Sequence, residues 1–375
     1  MINISMNEKY GRWITSGGAF DNSYDAFLSA STLKSDVVFD YHNDVWHQFD
    51  RRKLGIVPLP ILYKDRAQQL RDNYDYLILY YSGGADSHNI LRTFIDNDIK
   101  LDEVCVKWPK QLIDGKFYHL NSTDSSARNY WSEWEYCVKP ALEWLKINKP
   151  EIKITVKDYI DTLDVDQMFE KTAHHGFMAG ILLNSLVSDS EGKVLSSGKT
   201  VGNIYGLDKP ILALHDNKIF MFFSDTPFRS AVRSDINPAG AECFYWTPDM
   251  PLLAYEQAYQ TALYYRATPR NRKYLVLPRA ERDASTNNPD SQILMQHVLC
   301  KDVIYNNWDH RFQADKPSID RKDKFYWFFE QSELATHKDA FSFNVESRRS
   351  LIDPRFIKNG TLLIVWTEWF YVTDL

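Results

Sequence analysis

The fold is decided by the stretch from Tyr76 to Leu91, which reads YLILYYSGGADSHNIL. Its first six residues are apolar or aromatic without alternation, which is typical of a strand buried on both faces of a parallel sheet. The following Ser-Gly-Gly at 82–84 predicts a tight turn, because glycine has no Cβ to hold the backbone apart. Asp86 and Ser87 stand where a helix N-cap is expected, and an amphipathic pattern follows them. We therefore predict a strand, a glycine-rich turn and a helix.

Such a turn collects backbone N–H groups at the positive end of a helix dipole, where an anion such as phosphate binds. The string SGGADS at 82–87 also resembles the pyrophosphate-binding loop of the N-type ATP pyrophosphatases, the PP-loop or adenine nucleotide alpha-hydrolase-like superfamily. This superfamily includes asparagine synthetase and several tRNA-modifying enzymes. Its members cleave ATP between the α and β phosphates, adenylate a carbonyl oxygen, and let a nitrogen or sulfur nucleophile displace AMP.

The resemblance implies a role for each residue of the loop. Pyrophosphate is held by the backbone N–H groups of Gly83, Gly84 and Ala85, with further donation from the hydroxyls of Ser82 and Ser87. Asp86 is the implied catalytic carboxylate, which binds Mg²⁺ or positions the leaving group. Adenine is expected against the main chain at the end of the second strand, from Val106 to Trp108. ATP and Mg²⁺ are the cofactors expected on this basis.

Further strands and helices alternate around the loop. Patterns of apolar residues predict strands at 99–108 and 151–159 and helices at 63–73, 122–148 and 165–187. This alternation predicts an α/β fold, a Rossmann-like three-layer α/β/α arrangement of the HUP/PP-loop type with a parallel sheet. We expect an N-terminal cap segment at 1–60, an ATP-binding domain at 61–215, and a mixed α/β C-terminal region at 216–375 that shapes the acceptor site.

A second segment extends the resemblance to the synthetase domain of asparagine synthetase and to β-lactam synthetase. A short strand is predicted at 193–196, and residues 196–206 then read SSGKTVGNIYG. This string is similar to the second loop of those enzymes, which lies opposite the first. Ser197 and Gly198 would then contact the nucleotide. Lys199 stands where the family has a glutamate, and it is either a catalytic donor to a phosphate or carboxylate or a solvated loop lysine.

The C-terminal region predicts a hairpin around residues 216–217 and a helix at 248–267. A basic run from Arg266 to Arg282 is either a solvated face or a surface that closes over an anion. The position after Met1 is Ile2, whereas the glutamine-hydrolysing half of those synthetases has a catalytic cysteine there. The nitrogen donor is therefore expected to be ammonia, an amine, or a group delivered by a partner.

Composition limits the possible partners and location. No apolar run approaches the roughly 20 residues that span a bilayer, so no membrane partner is expected. A net charge of −6 makes nucleic acid a possible but not a favoured partner. The four cysteines form no CxxC pair and favour a cytoplasmic protein with free thiols.

These observations together predict an ATP- and Mg²⁺-dependent ligase that adenylates a small-molecule or nucleobase acceptor and transfers a nitrogen nucleophile to it. Two alternatives stay open. One is a nucleobase- or tRNA-modifying enzyme that uses the same ATP loop, with the basic run as an RNA groove. The other is a catalytically degenerate nucleotide-binding protein with a regulatory role, which the altered second segment would explain.

Overall fold

A computed structural model of the protein describes residues 11–108, 134–157, 188–206, 209–225, 240–267, 292–294, 301–305, 346–358 and 361–374. In chain order, the strands in these ranges are β1 (Arg12–Thr15), β2 (Gly18–Phe20), β3 (Val38–Asp40), β4 (Tyr76–Tyr80), β5 (Glu103–Lys107), β6 (Lys153–Lys157), β7 (Val201–Tyr205), β8 (Ile211–His215), β9 (Lys218–Phe222), β10 (Gly240–Cys243), β11 (Gln292–Leu294), β12 (Ile357–Lys358), β13 (Thr361–Leu362) and β14 (Phe370–Asp374). The helices are α1 (Ser23–Leu33), α2 (Asn43–His47), α3 (Leu59–Asn73), α4 (Ala85–Asp96), α5 (Lys139–Asn148), which continues a π-helical turn at Trp134–Val138, α6 (Asp189–Ser196), α7 (Pro251–Ala267) and α8 (Lys301–Ile304).

A sheet of five parallel strands, in the order β10–β7–β4–β5–β6, forms the centre of the described structure. Leu77 and Leu79 join the main hydrophobic core on one face of this sheet. Ile78 and Tyr80 join a smaller apolar cluster on the other face. Strand β4 is therefore buried on both faces, which confirms the prediction drawn from its unbroken apolar run.

Helices cover both faces of the parallel sheet. Helices α3 and α4 pack on each other and on β4, and Ile90, Leu91 and Phe94 of α4 are buried in the main core. On the other face, α6 contacts β7, where Val194 and Leu195 pack against the smaller cluster. The predicted second and third strands are β5 and the edge strand β6. The predicted α/β class with a parallel sheet is thus confirmed.

A buried ion pair fastens α3 to the edge strand β10. Arg66 Nη2 donates to Glu242 Oε2 at 2.8 Å and to the carbonyl oxygen of Cys243 at 3.0 Å. Both charged side chains are only 2% exposed. Tyr74, directly after α3, donates to the other carboxylate oxygen of Glu242 at 2.5 Å. The carboxylate is hydrogen-bonded on both oxygens, as a buried charge requires.

A second, antiparallel sheet has the order β11–β8–β9–β14. Strands β8 and β9 form the predicted hairpin, and the turn residues Asp216 and Asn217 have φ values of 48° and 57°. These left-handed values are ones that aspartate and asparagine tolerate. The predicted domain boundary between residues 215 and 216 falls within this hairpin. Helix α7 confirms the helix predicted at 248–267.

The N-terminal segment contains a three-stranded antiparallel sheet, β2–β1–β3. Trp13 in β1 donates to Asp225 Oδ2 at 2.7 Å. Trp46 in α2 packs on Phe223 and Phe370, with ring centroids 4.6 and 6.2 Å apart. Aromatic contacts therefore join this segment to the end of β9 and to β14, far along the chain.

The strand predicted at 193–196 is wrong, because these residues form the end of helix α6. Ser188 caps this helix by accepting a hydrogen bond from Ser190 N at 3.2 Å. Asp189 and Glu191 lie in its first turn, where negative charge stabilises a helix. These start signals outweigh the two apolar residues on which the strand prediction depended. The strand of this region is β7, which begins at Val201.

Some predictions concern residues outside the described ranges. They are the helix at 165–187, the beginning of the helix at 122–148, and the basic run beyond residue 267. Within the described part of that run, Arg266 donates to the backbone carbonyl of Asp374. None of the helices in the described ranges combines the length and apolar composition that a membrane span requires.

Candidate functional site

The turn after β4 requires glycine at position 83. Gly83 has a φ of +73°, a left-handed value that other residues rarely adopt. A Cβ at this position would also lie 2.8 Å from Val138 Cγ2 and 3.0 Å from Cys137 Cβ. The turn therefore packs closely against the π-helical segment that leads into α5, and both its backbone and its surroundings exclude a side chain.

The two serine hydroxyls of the loop have different environments. Ser87 is buried, and its Oγ accepts a hydrogen bond from Ser82 N and donates to the carbonyl oxygen of Gly84, both at 3.2 Å. Ser82 is exposed, and its Oγ accepts from Gly84 N at 3.5 Å. Ser87 thus braces the loop, whereas Ser82 is the hydroxyl that solvent reaches.

Helix α4 begins directly after this turn. The N-cap residue is Gly84, and not Asp86 or Ser87 as predicted, since both of these lie within the first turn of the helix. The loop therefore lies at the positive end of the helix dipole. Gly206, at the end of β7, approaches the same point. A Cβ on Gly206 would lie 3.0 Å from Asp86 Cβ and 3.1 Å from Ser87 N. The carboxyl ends of the neighbouring strands β4 and β7 therefore meet at the start of α4.

Asp86, in the first turn of α4, is the centre of a polar cluster. Its Oδ1 forms an ion pair with the ammonium of Lys209 and accepts a hydrogen bond from the Tyr305 hydroxyl at 2.5 Å. Its backbone carbonyl accepts one from Tyr245 at 2.7 Å. The rings of both tyrosines flank the ammonium, with Lys209 Nζ 4.5 and 4.6 Å from their centroids. Such distances allow cation–π attraction.

Burial sets the protonation of these phenols. Burial and the nearby Asp86 carboxylate raise the pKa of both Tyr245 and Tyr305 well above the ordinary value of 10.0. Both tyrosines therefore remain neutral hydrogen-bond donors at physiological pH. Tyr63 of α3 donates to the carbonyl oxygen of Ile304 at 2.8 Å, which anchors the residue next to Tyr305.

The surroundings of Asp86 Oδ1 do not fit the Mg²⁺ ion predicted on this residue. Mg²⁺ takes oxygen ligands at about 2.0–2.1 Å in near-octahedral geometry, but Asp86 Oδ1 already contacts an ammonium and a phenol. A divalent ion on Asp86 would also be repelled by the adjacent Lys209. Within the described ranges, no group of three or more His, Cys, Asp and Glu side chains could hold a metal ion.

The structure does not bring Ser197, Gly198 and Lys199 to this cluster. Strands β4 and β7 are parallel and in register from Tyr76–Val201 to Tyr80–Tyr205. The segment 197–199 precedes β7 and lies at its amino end, whereas the loop at 82–87 follows the carboxyl end of β4. The expectation that residues 196–206 form one loop opposite the first is therefore corrected, since five of them form a strand.

The predicted adenine region lies at the carboxyl end of β5, next to β4. The side chain of Val106 is fully buried, and its backbone lies in the pairing of β5 with β6. Trp108 is also buried and packs on Trp134, with ring centroids 5.8 Å apart. Adenine binding at this position stays a prediction.

Sequence reasoning missed Lys209, Tyr245 and Tyr305. A usable signal existed for Lys209, because it follows the strand that pairs with β4 and residues after neighbouring parallel strands share one edge of a sheet. Tyr245 comes just after β10, on the same edge. The local sequence around Tyr305 carries no comparable signal.

A second set of polar side chains lies on the face of the sheet covered by α6. The rings of Tyr80 and Tyr205 stack with centroids 4.8 Å apart, and Lys107 Nζ lies 4.2 Å from the centroid of Tyr80. Burial lowers the pKa of Lys107 to about 8. Burial also raises the pKa of Glu191, which accepts a hydrogen bond from Asn203 at 3.1 Å.

Comparison of the chain with protein-family models, with curated proteins and with solved structures finds no match. The interpretation of this site therefore depends on its geometry and on the motif at residues 82–87.

Proposed function

We propose that this protein is an ATP-dependent ligase of the PP-loop type, which forms AMP and pyrophosphate while it joins a nitrogen nucleophile to an acceptor carbonyl. The observation that supports this most strongly is the placement of the glycine turn. It lies at the carboxyl end of a central parallel strand, at the start of α4, and beside the buried ammonium of Lys209. Backbone N–H groups and a helix N-terminus at one point favour a phosphate.

The strand order supports a Rossmann-like sheet of the HUP type. Counted along the chain and read from β6 to β10, the strands have the order 3-2-1-4-5. The direction of winding reverses between β4 and β7, and in open α/β sheets ligands bind outside the carboxyl ends of the strands at such a point. The loop at 82–87 and Gly206 both lie there.

The roles of the loop residues follow from their surroundings. The N–H groups of Gly83, Gly84 and Ala85 would bind the phosphates, with the exposed hydroxyl of Ser82 as a further donor. Ser87 would hold the loop in shape, since its hydroxyl bonds within the loop. The loop would then act by placement and charge stabilisation.

In the proposed reaction, a carboxylate oxygen of the acceptor attacks the α-phosphorus of ATP, and the bond to the β-phosphate breaks. Pyrophosphate leaves with the negative charge. The nitrogen nucleophile then attacks the acyl carbon of the adenylate, loses a proton, and displaces AMP.

One observation favours a second candidate, a protein that binds a nucleotide without turning it over. Asp86, the implied catalytic carboxylate, is already paired with Lys209. The RNA-modifying alternative has less support, because Arg266, the member of the basic run in the described ranges, is bonded to the backbone of Asp374.

Nucleotide binding is tested by the melting temperature with ATP, GTP, AMP and pyrophosphate. A ligand at 100 times its dissociation constant adds about 2.7 kcal/mol to the free energy of unfolding. We expect ATP and pyrophosphate to raise the melting temperature of the wild type. Gly84→Asp should abolish this effect while the protein folds, because aspartate is a good N-cap residue at the φ of −80° and ψ of 166° found there.

The matched control is Gly192→Asp, which adds the same charge at an open position in α6. Retained binding in this control assigns the loss to the loop. Turnover is tested by AMP release from ATP with carboxylate acceptors and ammonia. AMP with pyrophosphate supports the ligase, ADP release contradicts it, and binding without release supports the second candidate.

A further inference from the structure

The Asp86–Lys209 pair bears on how charge is balanced at the nucleotide site. The resemblance implies Mg²⁺ on Asp86. Building on the function proposed above, we propose instead that the Lys209 ammonium is the resident cation of this carboxylate. The loop would then bind the diphosphate part of a nucleotide, or free pyrophosphate, without a metal ion on Asp86.

Lys209 is built into the fold and is not a mobile surface cation. Its side chain is 0% exposed, and it lies between the rings of Tyr245 and Tyr305. Both phenols also hold Asp86 in place, because Tyr245 donates a hydrogen bond to its backbone carbonyl and Tyr305 donates one to its carboxylate. A buried ammonium without a counter-charge is strongly unfavourable, and Asp86 supplies that counter-charge to Lys209 in the absence of a ligand.

The charge balance explains why a phosphate could bind without a metal. An ionised Asp86 in the first turn of α4 would repel an anion at the same helix end, and Mg²⁺ ordinarily removes such repulsion. Lys209 already cancels the carboxylate charge at direct contact. The net charge of the pair is zero. The backbone N–H groups of the loop can then bind the anion without electrostatic repulsion from Asp86.

The different exposure of the Asp86 and Lys209 side chains decides which of the two residues should be substituted in the test. Asp86 is 35% exposed, whereas Lys209 is fully buried. Lys209→Met therefore leaves a carboxylate that water can solvate, and methionine fills a similar volume between the rings. This variant should fold. It should also remove the cation that neutralises the Asp86 carboxylate, so that phosphate binding by the variant becomes dependent on Mg²⁺.

The experiment is calorimetric titration of the full chain with inorganic pyrophosphate and with ATP, in EDTA and in millimolar Mg²⁺. We expect the wild-type dissociation constants in the two conditions to agree within about threefold. For Lys209→Met, we expect binding in EDTA to weaken at least about tenfold, with recovery in Mg²⁺. The double variant Asp86→Asn/Lys209→Met, which is neutral at both positions, should bind pyrophosphate in EDTA again.

The matched control is Lys157→Met. This change removes another buried lysine that pairs with a more exposed aspartate, Asp189 at 2.8 Å, but at the end of the edge strand β6. It should leave metal-free binding unchanged. Wild-type binding of ATP and pyrophosphate only in Mg²⁺ would overturn the inference and leave the proposed function standing. Absence of binding in both conditions would overturn both.

Discussion

Among the ion pairs that join distant parts of the described chain, Arg66–Glu242 and Lys209–Asp86 differ in what surrounds them. Arg66 and Glu242 are both 2% exposed, and each is hydrogen-bonded to further groups in the core. Lys209 is equally buried, but its partner Asp86 is 35% exposed. The first pair is closed to solvent on both sides, whereas the second opens at the start of α4.

This difference separates a structural role from a functional one. A closed pair can only hold α3 against β10, because no ligand reaches it. The Asp86–Lys209 pair, called the half-open pair below, has one buried and one partly exposed member. It places a neutralised carboxylate beside the glycine turn, where a ligand can approach. Burial of an ion pair alone therefore does not indicate a binding site. An ion pair with one buried member and one exposed member, beside a solvent-accessible loop, does favour a binding site.

The largest expected effect comes from breaking the closed pair. Arg66→Met removes the buried guanidinium from the buried Glu242 carboxylate, and we expect the free energy of unfolding to fall by about 3–5 kcal/mol. Urea unfolding measures this. The control Lys139→Met removes a partly exposed i,i+4 pair between the start of α5 and Glu135 in the preceding π-helical turn, and it should lower the value by less than about 0.5 kcal/mol. Similar losses in the two variants would contradict the assignment.

The half-open pair predicts an asymmetry between its two members. Asp86→Ala leaves a fully buried ammonium without its carboxylate, and we expect a loss of about 3 kcal/mol in the free energy of unfolding. Lys209→Met leaves a carboxylate that water reaches, and the expected loss is about 1–2 kcal/mol. Chemical denaturation of both variants under identical conditions tests the order. The reverse order would mean that Asp86 is not the open side of the pair.

A smaller effect is expected from two glycines that share a backbone conformation. Gly83 and Gly198 have φ values of +73° and +78°, but only Gly83 would bring a Cβ against Val138, at 2.8 Å. At Gly198, apart from the two adjacent residues, no atom of the described part of the chain lies within 4 Å of the corresponding Cβ position. We expect Gly198→Ala to lower stability by about 1 kcal/mol through strain alone, and Gly83→Ala by about 2–3 kcal/mol. Equal losses in thermal unfolding would remove the packing argument for the turn.

The smallest effect is a gain in stability that depends on pH. Burial lowers the pKa of Lys107 from 10.5 to about 8. The folded protein therefore releases this proton at lower pH than the unfolded chain, so the destabilisation is complete below pH 8 and fades as the pH rises toward about 10.5. We expect Lys107→Met to be more stable than wild type at pH 7 by about 1 kcal/mol.

The same measurement at pH 10 should show a reduced gain for Lys107→Met. The exposed Lys146 on α5 provides the control, since Lys146→Met should change stability little at either pH. A gain that is independent of pH would show that packing, and not the charge of Lys107, is responsible.

Local signals were enough to predict the strand, turn and helix at 76–96, because burial on both faces, glycine and a helix start all act within a few residues. The hairpin at 216–217 was predictable for the same reason. The strand predicted at 193–196 failed because two apolar residues were weighed above the capping serine and the acidic first turn of α6.

The residues that surround Asp86 could not be predicted from the sequence near it. Lys209, Tyr245 and Tyr305 reach Asp86 from 123, 159 and 219 residues along the chain. Their placement depends on strand order and on how later segments pack, which periodicity does not encode. Lys199, by contrast, resembled a family motif in sequence, but the parallel register of β7 with β4 places it at the other end of the sheet.

The most direct test of the central claim is amide hydrogen exchange of the full chain with and without ATP. If the turn after β4 binds the phosphates, ATP will slow exchange in peptides that cover residues 82–88, and peptides that cover 197–200 will not change. Protection at 197–200, or none at 82–88 at saturating ATP, would contradict the assignment of the nucleotide site to this loop.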